Sequence, residues 1–117
     1  MNLKKETLKE LESNGKSWDD VVGVCGNDFQ ISKELFLELA DREYDDGYGG
    51  EEVACDLKIV GGDFWLERHS YDGSEWWEFK SLPNLSNMIF EKVERVIRES
   101  DYWDTNSLKS LQSKNLW

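Results

Sequence analysis

An Asp-Gly pair, Asp72-Gly73, separates two runs of alternating apolar and polar residues, Phe64 to Ser70 and Glu75 to Lys80. A two-residue hairpin turn needs positive φ, which Asp and Gly adopt at little cost, and alternation at period two is that of a half-buried strand. The register follows by counting outward from the turn. Ser70 falls opposite Glu75, His69 opposite Trp76 and Arg68 opposite Trp77, followed by the pairs Glu67–Glu78, Leu66–Phe79 and Trp65–Lys80. One face of the hairpin then carries Phe64, Leu66, Trp77 and Phe79, a core face. The other carries Trp65, Glu67, His69, Trp76, Glu78 and Lys80.

The rest of the chain supplies partners for that hairpin. Ala54 to Val60 alternates, which predicts a strand with Cys55, Leu57 and Ile59 on the core face and Asp56 and Lys58 on the other, and Gly61-Gly62 turns into the hairpin. Val21 to Cys25 is short and β-branched and reads as a further strand, followed by a turn at Gly26-Asn27-Asp28. Leu3, Leu8 and Leu11 predict an amphipathic helix stopped by Asn14-Gly15. Ser32 caps a second helix, with Leu35, Phe36 and Leu39 as its apolar stripe and an end near Arg42. Beyond Pro83, Leu85, Ile89, Val93 and Ile97 recur every four residues, with Met88 and Val96 beside them, which predicts another helix; a last short one holds Leu108 and Leu111. The expected fold is α+β. A three- to four-stranded antiparallel sheet has the hairpin at about 64–80 at its centre and packs with short helices from the N-terminal and C-terminal segments. At 117 residues one domain is expected, with an acidic α+β core over 17–82 and a helical extension over 85–117.

Charge limits the possible partners. The net charge is −11, and residues 17–80 alone hold 17 acidic against five basic side chains, a net of −12. Nucleic acid is bound by cationic stripes that release counterions, and anionic membranes repel a chain of this sign, so neither is an expected direct partner. Such one-sided charge opposes compaction, which makes a basic partner surface the natural complement. The acid concentrates in a Gly-rich loop, where Asp41, Glu43, Asp45, Asp46, Glu51 and Glu52 surround Tyr48, and on the outer hairpin face. There Glu67 and Glu78 stand directly opposite each other, an arrangement that destabilises an isolated sheet. Carboxylates repeated at strand pitch imitate successive phosphates, and Trp65 and Trp76 offer flat surfaces to arginine. The competing expectation is a C-terminal helix over this face, with Lys58 and Lys80 neutralising the glutamates. The expected partner-binding residues are Asp41, Glu43, Asp45, Asp46, Tyr48, Glu51, Glu52, Trp65, Glu67, Trp76 and Glu78.

Catalytic and metal motifs fit poorly. Glu67 and Glu78 could form a carboxylate pair for glycoside hydrolysis, which requires a cleft that so small a domain rarely builds. His69 is the single histidine and cannot form a His-based metal cluster. A calcium loop beginning at Asp41 would place Glu52 twelfth, yet its sixth position is Asp46 where glycine is required. Gly47, Gly49 and Gly50 lack the lysine of a phosphate loop. Cys25 and Cys55 show no C-x-x-C spacing and read as small buried residues of a reducing compartment. No cofactor, metal or enzymatic activity is expected. The first residues have no apolar stretch behind Lys4 and Lys5, and no run approaches the ~18 apolar residues of a membrane span. A cytoplasmic location in a bacterial host cell is expected. The number of copies stays open between a monomer and a dimer through Trp103 and Trp117.

Two runs carry a resemblance: Asp45-Asp46-Gly47-Tyr48-Gly49-Gly50-Glu51-Glu52-Val53, and Phe64 through Phe79. They resemble small acidic proteins of Gram-positive phages and mobile elements, among which are anti-CRISPRs, inhibitors of type II-A Cas9. The resemblance spans about residues 17–82 and brings neither a catalytic motif nor site residues. It implies a stoichiometric inhibitor that occupies the PAM-reading site or DNA channel of a Cas9–guide RNA complex. Cas9 reads its PAM through arginines and holds nucleic acid in a positive channel, which suits an acidic competitor. Another basic host protein, such as a restriction enzyme or a DNA-binding regulator, is the alternative partner.

Overall fold

The computed structural model describes residues 1–45, 50–97 and 107–112. The chain divides into two compact units, Met1–Pro83 and Asn84–Trp117.

The first unit is α+β, a five-stranded antiparallel sheet with short helices. Its strands are β1 (Val21–Cys25), β2 (Gln30–Ile31), β3 (Lys58–Gly61), β4 (Phe64–Tyr71) and β5 (Ser74–Ser81), in the spatial order β2-β1-β3-β4-β5. Asp72 (φ 51°) and Gly73 (φ 84°) both take positive φ, and all six cross-strand pairs expected from the turn are present. The hairpin is therefore at one side of the sheet, with β5 an edge strand, and β2 adds a strand not expected from the sequence.

Helix α1 (Leu3–Ser13) begins where the Asn2 side chain accepts the Lys5 N–H, and ends where Gly15 (φ 73°) allows the chain to reverse. Helix α2 (Lys33–Ala40) is capped by Ser32 through the Leu35 N–H. Both helices contribute to one core, in which Leu11, Phe36 and Ala40 join Val21, Val24, Ile59, Phe64, Leu66 and Trp77. Since Phe64, Leu66 and Trp77 share one hairpin face, both helices pack on that same face of the sheet. The indole N–H of Trp77 donates to Thr7 Oγ1 at 2.9 Å, and the Thr7 hydroxyl donates to the Leu3 carbonyl at 2.7 Å, so the edge strand is tied to the first turns of α1 without an unsatisfied donor.

Several expectations change within this unit. The third strand starts at Lys58 rather than Ala54, because Ala54 to Leu57 form a turn closed by the Leu57 N–H on the Ala54 carbonyl. Cys55 is consequently exposed, and Asp56 turns to accept the Asn27 N–H at 2.8 Å. Gly61 belongs to β3, paired with Val21, rather than to the turn, and it is held to glycine because a side chain there would overlap the Phe64 ring. In α2, which stops at Ala40, Leu35 and Leu39 are 41% and 61% exposed while Phe36 and Ala40 are buried, so the buried stripe lies one step round the helix from the one expected. Neither cysteine is fully buried.

The second unit holds a 3₁₀ turn (Leu85–Asn87) and one helical turn, α3 (Leu108–Leu111), which is capped by Ser107 through the Ser110 N–H. The helix expected over 85–97 is not formed beyond Asn87; Met88, Ile89, Phe90, Val96 and Ile97 are exposed. An i,i+4 pair such as Glu91–Arg95 would contribute only about 0.2–0.5 kcal/mol to such a helix, and a helix of that length needs a buried face to persist. Gln112 instead holds the backbone of Glu94 and Arg95 through its side-chain amide. Trp103 and Trp117 lie outside the described residues. Among the described residues no helix is long and apolar enough to cross a membrane.

Candidate protein-binding site

A buried polar hub positions the acidic loop. Arg68 and Glu75 lie on the core face of the hairpin, each with 3% of its side chain exposed, and pair at 2.9 Å. Arg68 also reaches Glu6 of α1 at 3.2 Å and the Tyr44 hydroxyl at 3.3 Å, and its guanidinium stacks over the Trp77 ring at 4.8 Å. The Tyr44 hydroxyl donates to Glu6, and burial followed by that bond raises its pKa well above the ordinary phenol range. Glu75 accepts the backbone N–H groups of Glu52 (2.7 Å) and Val53 (3.3 Å), while Ser70 donates to Glu51. Both ends of the loop, Tyr44 and Glu52–Val53, are thereby fixed to one ion cluster.

On the opposite sheet face the carboxylates are already satisfied. Glu67 accepts the Trp65 indole N–H at 2.7 Å and meets His69 Nε2 at 2.7 Å. Glu78 accepts the Trp76 indole N–H at 3.2 Å and pairs with Lys80 at 3.2 Å, with His69 Nδ1 3.5 Å away. The Trp65 indole and then His69 hold Glu67 below the usual carboxylate range, and Lys80 and then Trp76 do so for Glu78. The segments Trp65-Leu66-Glu67-Arg68-His69 and Trp76-Trp77-Glu78-Phe79-Lys80 share the order Trp-x-Glu-x-base, and pairing centred on Glu67–Glu78 relates them by a local two-fold. Lys58 stands opposite Glu67 in the register. Two carboxylates thus face two lysines, and the repulsion expected of the Glu67–Glu78 pair is offset in place. This face is aromatic and close to electroneutral.

The carboxylates of α2 and the following loop differ. Glu34, Glu38, Asp41, Asp45, Glu51 and Glu52 are exposed, and none forms an ion pair with Lys or Arg among the described residues. Their hydrogen bonds come from neutral donors: the Asp45 N–H donates to Glu52 at 2.6 Å, the Asn2 side chain to Asp41 at 3.0 Å, and the Ser70 hydroxyl to Glu51. Glu43 is exposed and meets the Met1 amine at 3.0 Å. Nearby, Lys33 spends its ammonium on the carbonyls of Trp18 and Val21. A groove of about 580 Å³ opens here, with Leu3, Ile31, Phe36, Leu39, Val53 and Leu57 among its walls and Arg42, Glu43, Tyr44 and Glu52 also lining it.

No family model, curated protein or solved structure matches this chain. Function is therefore read from the chemistry of these surfaces. Of the expected site residues, Asp41, Glu43, Asp45, Glu51 and Glu52 gather around the loop tied to the hub. Trp65, Glu67, Trp76 and Glu78 form the separate outer-face network, and Asp46 and Tyr48 lie outside the described residues. Sequence reasoning missed Arg68, Glu75, Glu6 and Tyr44. The signal was available for two of them, because Arg68 and Glu75 fall on the apolar parity of their strands, where a charge needs a partner. It also missed the exposed Leu35 and Leu39 beside Glu34 and Glu38.

Proposed function

We propose that this chain is a stoichiometric binding protein, not an enzyme, that covers the cationic nucleic-acid-binding surface of a bacterial defence nuclease. A Cas9–guide RNA complex, engaged in the manner of an anti-CRISPR at its PAM-reading or DNA-binding surface, is the first target to test. The observation that carries this reading is the row of exposed carboxylates from Glu34 to Glu52 without Lys or Arg partners among the described residues. Fixed charges of one sign on a folded surface steer a basic partner and displace its phosphate ligand without refolding, and their attraction falls with salt. Glu67 and Glu78 support binding rather than hydrolysis, since each is committed to an indole and a base. The protein is expected to act in the host cytoplasm and to need no metal or cofactor.

The test is a DNA-cleavage assay with the guide-loaded nuclease, the protein added before or after target DNA. Inhibition is expected when the protein is added first, should weaken between 50 and roughly 300 mM salt as screening grows, and should be lost in Asp45→Lys/Glu51→Lys/Glu52→Lys. Normal cleavage with the protein in excess would remove Cas9 as the target. If affinity capture on the protein then also retains no basic nucleic-acid-binding protein, the wider proposal fails with it.

A further inference from the structure

The same surface carries a feature that charge does not explain. Helix α2 presents Leu35 and Leu39 to solvent, four residues apart on one side, with Glu34 and Glu38 in the adjacent row. Leu39 also lines the 580 Å³ groove, whose apolar wall continues through Ile31, Phe36, Val53 and Leu57, while Glu43 and Glu52 line it as well. Leu39 lines the groove together with Leu57, and Leu35 stands one helical turn from Leu39, so exposed apolar side chains extend beyond the groove along α2, with Glu34 and Glu38 beside them and Glu43 and Glu52 in the groove lining. Arg42 is the one basic residue among those lining the groove.

We infer that this surface docks a basic amphipathic helix of the partner, with its apolar stripe on Leu35, Leu39 and the groove and its lysines or arginines against the flanking carboxylates. The inference rests on the proposed function and specifies the partner element at that site. Three observations select this occupant. A small apolar ligand confined to the groove would leave Leu35 bare. The rise from Glu34 to Asp41 is about 10 Å, two turns of helix, so the flanking charges repeat along the length of a short partner helix. The carboxylates beside the leucines and in the groove lining complement the bases of an amphipathic helix whose apolar stripe enters the groove.

Three synthetic 18-residue peptides separate the possibilities by calorimetry and by methyl NMR of the full chain. The first is a leucine–lysine amphipathic helix, the second a scrambled sequence of the same composition, and the third an alternating valine–lysine strand former. The amphipathic helix is expected to bind at least tenfold tighter than the other two and to shift the methyls of Leu35, Leu39 and Ile31. Leu39→Glu is a sharp probe, because at 61% exposure the side chain is little needed for folding. The added negative charge would strengthen purely electrostatic binding, whereas docking on the leucines predicts at least a tenfold loss. Val22→Glu, at an exposed strand position outside the groove, should leave binding unchanged. Equal binding of the scrambled peptide, or tighter binding by Leu39→Glu, overturns the helix-docking inference and leaves the acidic-binder reading standing. Preference for the strand former assigns the surface to an extended segment and also overturns the inference. No binding by any of the cationic peptides overturns both.

Discussion

Replacing Arg68 by Met tests whether the buried hub holds the fold together. Met keeps most of the aliphatic length over Trp77 but removes the charge, and with it the bonds to Glu75 at 2.9 Å, Glu6 at 3.2 Å and Tyr44 at 3.3 Å. Glu75 then lacks its Arg68 partner with 3% of its side chain exposed. Breaking a buried ion pair by removing one member costs about 3–5 kcal/mol. That is a large part of the ~5–15 kcal/mol that holds a domain folded. With a urea slope of roughly 1.5 kcal/mol/M for a unit of this size, the unfolding midpoint should fall by about 2–3 M.

Urea unfolding followed by tryptophan fluorescence measures this directly, and a double variant separates the causes. Arg68→Met/Glu75→Gln also removes the buried Glu75 charge while the amide oxygen still accepts from Glu52 or Val53, so it should be more stable than Arg68→Met alone despite carrying two changes. A midpoint for Arg68→Met within ~0.3 M of the parent, at an unchanged slope, would refute the account, because it would mean the pair is worth less than about 0.5 kcal/mol. A double variant less stable than the single one would show that lost hydrogen bonds, rather than the buried Glu75 charge, dominate the cost.

Gly61→Ala should cost about 1–3 kcal/mol, since the new methyl overlaps the buried Phe64 ring, which is itself stacked on Phe79; an unchanged melting temperature would disprove the close approach. Gly73→Ala forces a side chain to φ 84° and should cost about 1–2 kcal/mol, lowering the melting temperature by several degrees while the register measured by NMR stays in place. Glu67 and Glu78 titrate below their unfolded value of about 4.3. Their contribution is therefore complete at neutral pH and fades as pH drops below about 4 through the depressed values. Carboxyl ¹³C titration should show Trp65→Phe moving Glu67 upward, and no movement would remove the indole as the leading cause.

The hairpin was legible because its information is local. A turn that requires positive φ sets the register, and the register sets which face each side chain takes, so six pairs follow from Asp72-Gly73 alone. Helix α1 was legible for the same reason, since its cap and stop are neighbours in sequence. The apolar spacing at Leu85 to Ile97 resembles that of α1 but yields one 3₁₀ turn. The pattern states which side would be buried, and only a partner surface makes burying it favourable. The α2 stripe failed by one step for a related reason. Leu35, Phe36, Leu37 and Leu39 are nearly interchangeable by hydropathy, and the side that is buried is the one that meets core residues from elsewhere in the chain, among them Trp18, which stacks on Phe36 at 5.7 Å.

Charge shows where composition stops being informative. Glu67, Glu75 and Asp45 count equally toward −11, yet their situations differ in kind. Glu67 sits among an indole, a histidine and facing lysines, Glu75 is buried against Arg68, and Asp45 stands in solvent without a Lys or Arg partner among the described residues. Only the last kind is available to another molecule. The buried kind is poorly suited to supplying net stability, because Arg68 Nε is left without a hydrogen bond among the described residues and apolar side chains of similar volume are often as stable as a buried pair. What apolar side chains could not do is accept the Glu52 and Val53 amides and hold Tyr44 at the other end of the loop. The hub fixes the exposed carboxylates at defined distances from α2 and the groove. A flexible acidic tail of equal charge would have to lose conformational entropy to present the same arrangement.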